Sequence, residues 1–312
     1  MKFYQLRFFI QSACFILLTY GGRIGVKLGH FLPCFSCPYV PGCGGHCYLM
    51  ALQGSSWGFQ VPITMLVGSY GLTSFGMLVG FILLTVLLSK TWCGWICPFG
   101  TLQDWISALR RKLGIRKSYF NWDFMDKLKS IKYILLGLLI LIPLLIGNTG
   151  LHQDLKLPFC QLCPAKPVMP VFAGTLRHFE LNTTNTITVV MGILSLILTA
   201  FFLVGMFFKD RFFCIFCPLL ALISIFDKLG MVRLKKRVDS CIGCGNCQRV
   251  CPADVRQVHN EKKNEDVLNT ACMECFNCVE ACPQDNVLSA KWLKWRLFSS
   301  SGKRVAKLLK RK

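Results

Sequence analysis

Charged residues are scarce in this sequence, and acidic residues are the scarcest of them. Only 16% of the 312 residues are charged, 15 are Asp or Glu, and residues 28–89 contain no charged side chain. In contrast, 53% of the residues are hydrophobic. This balance excludes an ordinary soluble domain and indicates a membrane protein. The formal net charge of +21 does not predict nucleic-acid binding, because the basic residues lie beside apolar runs, where they fit orientation signals and contacts with anionic lipid.

The sequence also lacks the motifs of several redox cofactors. It has no C-x-x-C-H haem attachment site, no nucleotide or flavin fingerprint, and no histidine in the middle of a predicted membrane span. A bis-histidine membrane haem and a stand-alone NAD(P)H enzyme are therefore disfavoured. Cysteine, in contrast, is abundant, with 19 residues. In a short secreted chain this number would predict disulfides, but this chain is neither short nor rich in loops.

Four apolar segments are long enough to cross a bilayer, whose hydrocarbon core of roughly 30 Å needs about 20 helical residues. They cover residues 8–31, 69–89, 131–147 and 186–208. Nine Lys or Arg lie in residues 90–132 and seven in residues 209–237, so the positive-inside rule predicts that both segments are cytoplasmic. We therefore expect a multi-pass α-helical protein of the cytoplasmic (inner) membrane with both termini in the cytoplasm.

The cysteines indicate two similar halves in the membrane region. Each half reads as a helix, an outer cysteine pair, a second helix and an inner cysteine pair, which predicts two inverted-order helix-pair repeats. The string CGGHCYLMALQ, which begins at Cys43, resembles CGWICPFGTLQ, which begins at Cys93. The outer cysteines are Cys34, Cys37, Cys43, Cys47, Cys160 and Cys163, and the inner cysteines are Cys93, Cys97, Cys214 and Cys217.

The strongest motif is C-x2-C-x2-C-x3-C-P, which occurs twice, in residues 241–252 and 272–283. This is the pattern of bacterial two-cluster ferredoxins, in which the fourth cysteine of each run ligates the other cluster. Structural zinc, the alternative, usually takes C-x2-C pairs repeated at a distance. The motif predicts one [4Fe–4S] cluster on the first ferredoxin set, Cys241, Cys244, Cys247 and Cys282, and another on the second ferredoxin set, Cys251, Cys272, Cys275 and Cys278.

These features divide the chain into three predicted regions. Residues 1–232 form the transmembrane domain with its CP loops, and residues 233–290 form a cytoplasmic α+β ferredoxin domain. Residues 291–312 form a basic tail.

The inner cysteines are candidates for a third cluster. Repeat symmetry brings Cys93 and Cys97 to Cys214 and Cys217 at the cytoplasmic membrane edge, which would give four thiolates for a cubane. The alternative is that they are reduced cysteines that pack as small apolar residues.

The outer cysteines leave several alternatives open. Cys160 and Cys163 could share a fourth cluster with Cys34 and Cys37, or with Cys43 and Cys47, while the remaining pair forms a disulfide. All six could also serve one cluster and a second site completed by a partner, or they could form disulfides only. The spacing does not choose among these possibilities.

A quinone site would need groups that exchange protons at the membrane boundary. The candidates at or beyond the outer edge of the predicted spans are His30, His46, His152, Asp154, His178 and Glu180. A solvated or structural role is the simpler interpretation of each residue.

The strings TWCGWICPFG and FFCIFCPLL, together with the two ferredoxin runs, resemble the polyferredoxin membrane proteins of the NapH/NosR/MauN type. The resemblance covers most of residues 65–285. It implies four helices with CP pairs at the cytoplasmic edge, and clusters that pass electrons between quinol and partner redox subunits. It supports cluster ligation by the inner cysteines and the eight ferredoxin cysteines. The cysteine-rich outer loops depart from the family pattern and favour cofactors on both faces of the membrane.

The sequence therefore predicts an electron-transfer subunit of a respiratory redox complex, in which clusters relay electrons between the ferredoxin domain and the quinone pool or a redox partner on the outer face. The subunit could itself oxidise quinol. An alternative is a metal-reducing assembly factor that resembles the CcoG-type cytochrome oxidase maturation proteins, which share the membrane CP motifs.

Overall fold

The computed structural model describes residues 3–26, 37–43, 47–55, 69–118, 122–147, 157–180 and 185–302, apart from residues 265 and 268. Cys34 and four of the quinone candidates lie outside the described residues: His30, His46, His152 and Asp154. The expectations that concern these five residues stay predictions.

Helices make up most of the described chain. In chain order they are α1 (Phe3–Tyr20), α2 (Tyr48–Ser55), α3 (Ser69–Leu88), α4 (Pro98–Lys112), α5 (Trp122–Gly147), α6 (Pro158–Leu162), α7 (Ala165–Val171), α8 (Thr186–Phe208), α9 (Phe212–Phe216), α10 (Pro218–Ile225), α11 (Asn246–Arg249), α12 (Gln257–Asn260) and α13 (Asn277–Ala281). The strands are β1 (Val232–Lys236), β2 (Leu288–Trp292) and β3 (Trp295–Ser299). A π-helical turn covers Trp92–Ile96.

Two of these helices are long and apolar enough to cross a membrane, Phe124–Ile146 within α5 and Thr186–Phe208, which is α8. Both present apolar side chains outward, as lipid-facing helices do: Leu145 is 58% exposed and Ile197 59%. The predicted spans at 8–31 and 69–89 coincide in part with α1 and α3, and α3 contains the shorter apolar segment Gly76–Leu88. The described residues thus form a helical protein with two candidate membrane spans, while four spans and a repeat stay predictions.

Proline fixes the start of the helix that follows each inner cysteine pair. Helix α4 begins at Pro98, directly after Cys97, and α10 begins at Pro218, directly after Cys217. Proline suits the first helical position because its φ is already helical and the N–H it lacks would have no partner in the helix. The Sγ atom of Cys97 also accepts a hydrogen bond from the Gly100 N–H (3.4 Å). Each CP sequence therefore holds a cysteine at the corner between two helical segments.

The ferredoxin domain contains an antiparallel sheet in the order β1-β2-β3. Strand β1 precedes the first cysteine motif and β2 follows the second, so their pairing closes the domain around both motifs. Strand β3 extends the sheet to Ser299, beyond the predicted domain boundary at residue 290. Residues 291–299 were assigned to the basic tail because of their composition, but the structure places them in and around the β2–β3 hairpin.

The ferredoxin domain packs directly on the helical region. The Met231 N–H donates to the carbonyl of Val86 (2.8 Å), and Nε1 of Trp292 donates to the carbonyl of Leu87 (3.2 Å). Nζ of Lys132, in α5, donates to the carbonyl of Thr270 (2.6 Å). These bonds tie the ferredoxin domain to α3 and α5, and one apolar core is continuous between the two regions.

Candidate iron–sulfur sites

The four cysteines of the first ferredoxin set line a cavity of about 370 Å³. Gly243 and Gly245 lie on either side of Cys244 with φ of 66° and 71°, a left-handed conformation that glycine adopts without steric cost. Cys244 is exposed. Burial raises the pKa of the Cys247 thiol, and the nearby Lys236 ammonium opposes this rise. The first ferredoxin set therefore faces solvent and has a cation in its wall.

The second ferredoxin set lines a cavity of about 380 Å³, but it is more deeply buried. Burial is the main cause that raises the pKa of Cys251 and of Cys272 to about 12. The charge of Lys90, from the membrane region, opposes this rise at Cys272. The two ferredoxin sets thus have cavities of similar size in different surroundings.

The left-handed backbone positions of the second ferredoxin set carry large residues instead of glycine. Glu274 and Phe276 have φ of 49° and 57°, which costs roughly 1–2 kcal/mol for a residue with a Cβ atom. The Glu274 carboxylate accepts hydrogen bonds from Ser89 Oγ and the Lys90 N–H, both 3.1 Å long. Phe276 packs edge-on against Phe298, with 5.1 Å between ring centroids. These contacts offset the backbone cost, and the bonds of Glu274 also fix the loop against the helical region.

The structure brings the four inner cysteines together from two distant segments of the chain. After burial, the thiols of Cys97, Cys217 and Cys214 are the main causes that raise the pKa of Cys93, so all four are close neighbours. Gln103 supports this arrangement from α4. Its Nε2 donates to Cys214 Sγ (3.5 Å), and its Oε1 accepts from the Phe213 N–H (3.1 Å).

An ion cluster of Asp104 with the buried Arg7 and Arg211 lies beside the inner cysteines. Asp104 accepts from Arg211 at 2.6 and 2.8 Å and from Arg7 at 2.5 Å. Arg211 also donates to the carbonyls of Cys93 and Gly94. Burial alone would raise the pKa of Asp104, but the two guanidinium groups hold it well below its usual range. Two arginines against one carboxylate leave positive charge next to four thiols, which favours an anionic cluster there.

Four outer cysteines share a cavity with two inner ones. Cys37, Cys47, Cys160 and Cys163 line a space of about 730 Å³ that also touches Cys97 and Cys217. The described cysteines form no disulfide with one another. The structure places these four beside Cys97 and Cys217, because α2 and α6 pack against the longer helices. Their predicted location on the outer face of the membrane stays a prediction.

The donor chemistry at each site fits an iron–sulfur cluster. Each site offers four cysteines, the usual ligands of [4Fe–4S] clusters. Burial raises the pKa of Cys97 to about 11, so its thiolate needs positive charge nearby, which iron supplies. Among the described residues, no three His, Cys, Asp or Glu side chains converge as ligands of a single metal ion.

Several residues at these sites were not identified from the sequence. Arg7 and Arg211 were counted only as orientation signals, and Asp104 and Gln11, which also donates to Asp104 (2.8 Å), had no motif. Gln103 could have been identified from the sequence, because it ends the string CGWICPFGTLQ and the similar string CGGHCYLMALQ also ends in glutamine.

Models of two iron–sulfur domain families match the chain. A 4Fe-4S binding domain matches residues 70–116 and again 191–237, and a 4Fe-4S dicluster domain matches residues 233–283. The two segments that match the 4Fe-4S binding domain contain the inner cysteines, and the segment that matches the dicluster domain contains both ferredoxin sets. The outer cysteines lie outside all three matched segments.

Curated relatives match between a half and two thirds of the chain. YccM of Escherichia coli strain K12 is 31% identical over 179 residues, which cover 57% of this chain and 46% of YccM. The methylamine utilization ferredoxin-type protein MauN of Methylobacillus flagellatus is 26% identical over 205 residues, 65% of this chain and 59% of MauN. The ferredoxin-type protein NapH of Haemophilus influenzae is 28% identical over 203 residues, 63% of this chain and 60% of NapH. The chain spans less than two thirds of the length of each relative, and no solved structure matches it.

The fold and the sites define a ferredoxin-type iron–sulfur protein with helices suited to a membrane. The chain is a homologue of the polyferredoxin-type 4Fe-4S electron-transfer proteins, among them NapH, NosR and MauN, and the predicted resemblance is confirmed.

Proposed function

We propose that the chain is the electron-transfer subunit of a membrane redox complex, and that the two ferredoxin sets and the inner cysteines each hold one [4Fe–4S] cluster. When bound, such clusters take up and release single electrons at potentials set by burial, nearby charge and hydrogen bonds to sulfur. The role of the chain is to hold the sites close together, exclude water from the buried ones and supply those charges and hydrogen bonds.

The contact between the inner cysteines and the second ferredoxin set carries this proposal. Gly94 directly follows Cys93, and a Cβ atom at Gly94 would lie 2.5 Å from the Met273 carbonyl oxygen and 3.1 Å from Cys275 Cα. The next residue, Trp95, donates from Nε1 to the carbonyl of Glu274 (3.2 Å). The backbones that hold the two sites are therefore in direct contact. Because electron tunnelling weakens steeply with distance, this contact favours transfer between the sites.

The two ferredoxin sets are also neighbours. The charge of Cys247 contributes to the raised pKa of Cys278, and both belong to one apolar core with the inner cysteines. A series of three sites thus leads from the exposed Cys244 to the inner cysteines. We propose that electrons follow this series between a soluble or subunit partner and the membrane region.

We propose the quinone pool as the exchange partner inside the membrane. A polar cavity with about 920 Å³ of open space lies beside the outer cysteines and is lined by Gln161, Lys166, His178 and Glu180, among others. Gln161 lies between Cys160 and Cys163 in the chain. Interconversion of quinol and quinone moves two electrons and two protons, and His178 and Glu180 are groups that hold and release protons. A redox partner that docks on this side is the other possible acceptor or donor.

The distribution of Lys and Arg supports an inner-membrane location with both termini and the ferredoxin domain in the cytoplasm. Basic segments beside the spans would contact anionic lipid. Other redox subunits would dock on the exposed first ferredoxin set and on the membrane helices.

The proposal is tested by counting iron and acid-labile sulfide on anaerobically purified protein, followed by EPR during a redox titration. Replacement of Cys214 and Cys217 by Ser removes about four irons if the inner cysteines hold a cubane. An unchanged iron content would overturn the proposed inner cluster. The proposed series of clusters would then be limited to the two ferredoxin sets.

The contact at Gly94 is tested by Gly94→Ala. The added methyl group must push the ferredoxin domain away, so we expect slower reduction of the inner cluster after rapid reduction of the ferredoxin clusters, at unchanged iron content. Gly137→Ala is the matched control, because no atom lies within 4 Å of a Cβ placed there. Equal rates in both variants would show that electrons do not use this contact.

Replacement of His178 by Ala tests the quinone assignment. We expect slower reduction of the clusters by a soluble quinol analogue and unchanged reduction by dithionite. If His178→Ala reacts with the analogue like the unmodified protein, this cavity is not the quinone site and a docked redox partner becomes the better assignment.

A further inference from the structure

The membrane region contains a second cysteine site that repeats the inner one. Gln53 follows Cys47 by six residues, as Gln103 follows Cys97. Gln53 ends the string CGGHCYLMALQ and Gln103 ends CGWICPFGTLQ. Both glutamines lie in helices that begin directly after a cysteine, α2 after Cys47 and α4 after Cys97.

Gln53 makes the same two hydrogen bonds at the outer cysteines that Gln103 makes at the inner ones. Its Nε2 donates to Cys160 Sγ (3.1 Å), and its Oε1 accepts from the N–H of the preceding residue, Phe159 (3.0 Å). Gln53 is fully buried, and its second Nε2 hydrogen bond goes to the Leu49 carbonyl (3.1 Å). A buried amide held in this way fixes the position of a cysteine sulfur and donates to it, which is how proteins orient cluster ligands and tune their potential.

The shared cavity is larger than the cavity at either ferredoxin set. Each ferredoxin set surrounds about 370 to 380 Å³. The cavity between the outer and inner cysteines holds about 730 Å³ and is lined by thiols of both groups. Protein interiors contain few voids larger than a water molecule. Thiols on two walls of this space therefore point to a ligand at the outer cysteines as well as at the inner ones.

We propose that Cys37, Cys47, Cys160 and Cys163 hold a fourth [4Fe–4S] cluster, with Gln53 as the positioning residue that donates to Cys160. Cys43 has the place of Cys93 in the string, but Cys37, and not Cys43, lines the cavity with Cys47, Cys160 and Cys163, so the structure assigns Cys37 as the fourth ligand. The fourth site exchanges single electrons with the inner site across the shared cavity, and no covalent bond forms or breaks. This inference rests on the proposed cluster at the inner cysteines, of which the outer site is a copy.

The first test counts iron and sulfide in the full-length protein purified without oxygen. We expect about sixteen irons per chain and a loss of about four on replacing Cys160 and Cys163 by Ser. The EPR signals of the ferredoxin clusters remain in the same sample and show that the variant has folded. About twelve irons, unchanged by this replacement, would overturn the fourth cluster while leaving the proposed function intact.

A matched pair of single variants tests the ligand assignment. Cys37→Ser should remove or convert the fourth cluster, whereas Cys43→Ser should leave its EPR signal and the iron count unchanged. If Cys43→Ser removes the signal and Cys37→Ser does not, the assignment of Cys37 is wrong.

Gln53→Leu gives a second readout that does not depend on cluster loss. Removing a hydrogen bond to sulfur makes the reduced cluster less stable, so we expect one signal to titrate at a lower potential with iron content unchanged. Gln103→Leu should lower the potential of a different signal. If Gln53→Leu shifts no potential, or shifts the same signal as Gln103→Leu, the proposed site is refuted. Iron loss from Cys214→Ser with Cys217→Ser tests the inner site independently.

Discussion

The two ferredoxin sets share one cysteine motif but lie in opposite surroundings. The first has an exposed Cys244 and glycine on both sides of it, and a Cβ atom at either glycine would meet nothing within 4 Å. The second has Glu274 and Phe276 at the equivalent backbone positions, and both side chains are buried. The motif fixes how the chain wraps a cluster, whereas the residues between the cysteines decide whether the loop meets solvent or another part of the protein.

The largest effect that we expect from this difference is in access to a chelator. When the protein is oxidised without oxygen in the presence of an iron chelator, the cluster at the first ferredoxin set should be lost while the second is still present. EPR at intervals measures both signals. Simultaneous loss would mean that exposure of Cys244 does not govern the stability of the cluster.

The next largest effect should come from Asp104→Leu. It leaves Arg7 and Arg211 buried without their partner, and breaking a buried ion pair in this way costs about 3–5 kcal/mol. Because Arg7 also bonds to Asn277 Oδ1 (2.6 Å), beside Cys278, we expect the inner and second ferredoxin signals to broaden before the first. Denaturant unfolding in detergent measures the loss of stability.

Asp126→Leu is the control for this prediction. Asp126 also pairs with two basic residues, Lys129 and Arg256, but its side chain is 54% exposed, so its loss should cost less than about 1 kcal/mol. Equal losses of stability in Asp104→Leu and Asp126→Leu would contradict the role of burial.

The depressed pKa of Asp104 also predicts how stability depends on pH. The ionised form of Asp104 stabilises the fold above the unfolded pKa near 3.8, and this contribution declines as the pH falls below that value.

A smaller effect should follow from Phe276→Gly in the second ferredoxin set. The substitution relieves the left-handed backbone but removes the packing of Phe276 against Phe298, for a net loss of about 2 kcal/mol. Thermal unfolding of the protein with its clusters measures the change. A gain in stability would mean that the ring packing does not offset the backbone cost.

The smallest effect should come from the corresponding position of the first ferredoxin set. Gly245→Ala meets no neighbouring atom, so only the left-handed backbone opposes it, at about 1 kcal/mol. The same unfolding measurement applies, and the EPR signals should not change. A larger loss than in Phe276→Gly would reverse the comparison between the two sets.

Sequence patterns predicted the parts of this molecule that depend on local spacing. The ferredoxin motif assigned cysteines to two sets, and the structure groups them in two cavities in the same way. The ion cluster at Asp104 could not be predicted, because Arg7, Asp104 and Arg211 meet only after three distant segments pack. Strand β3 was missed because its basic and aromatic residues resemble a solvated tail in composition.

The outer cysteines show where patterns are insufficient for a different reason. Their spacing allowed several pairings, and hydropathy did not show that four of them line one cavity with Cys97 and Cys217. The packing of α2 and α6 against the inner site depends on buried contacts such as the stacking of Tyr48 on Phe81, whose ring centroids are 4.2 Å apart. Such contacts have no signature in the order of residues along the chain.

The absence of a tether before the ferredoxin domain has a kinetic consequence. Strand β1 starts at Val232, one residue after Met231, whose N–H bonds to Val86, and only two residues separate β1 from the turn at Asp227–Leu229. The domain therefore does not need to swing or diffuse between docking positions to deliver an electron. Its internal transfer rate should be independent of solvent viscosity, so that added glycerol slows encounters with external partners but not passage within the chain.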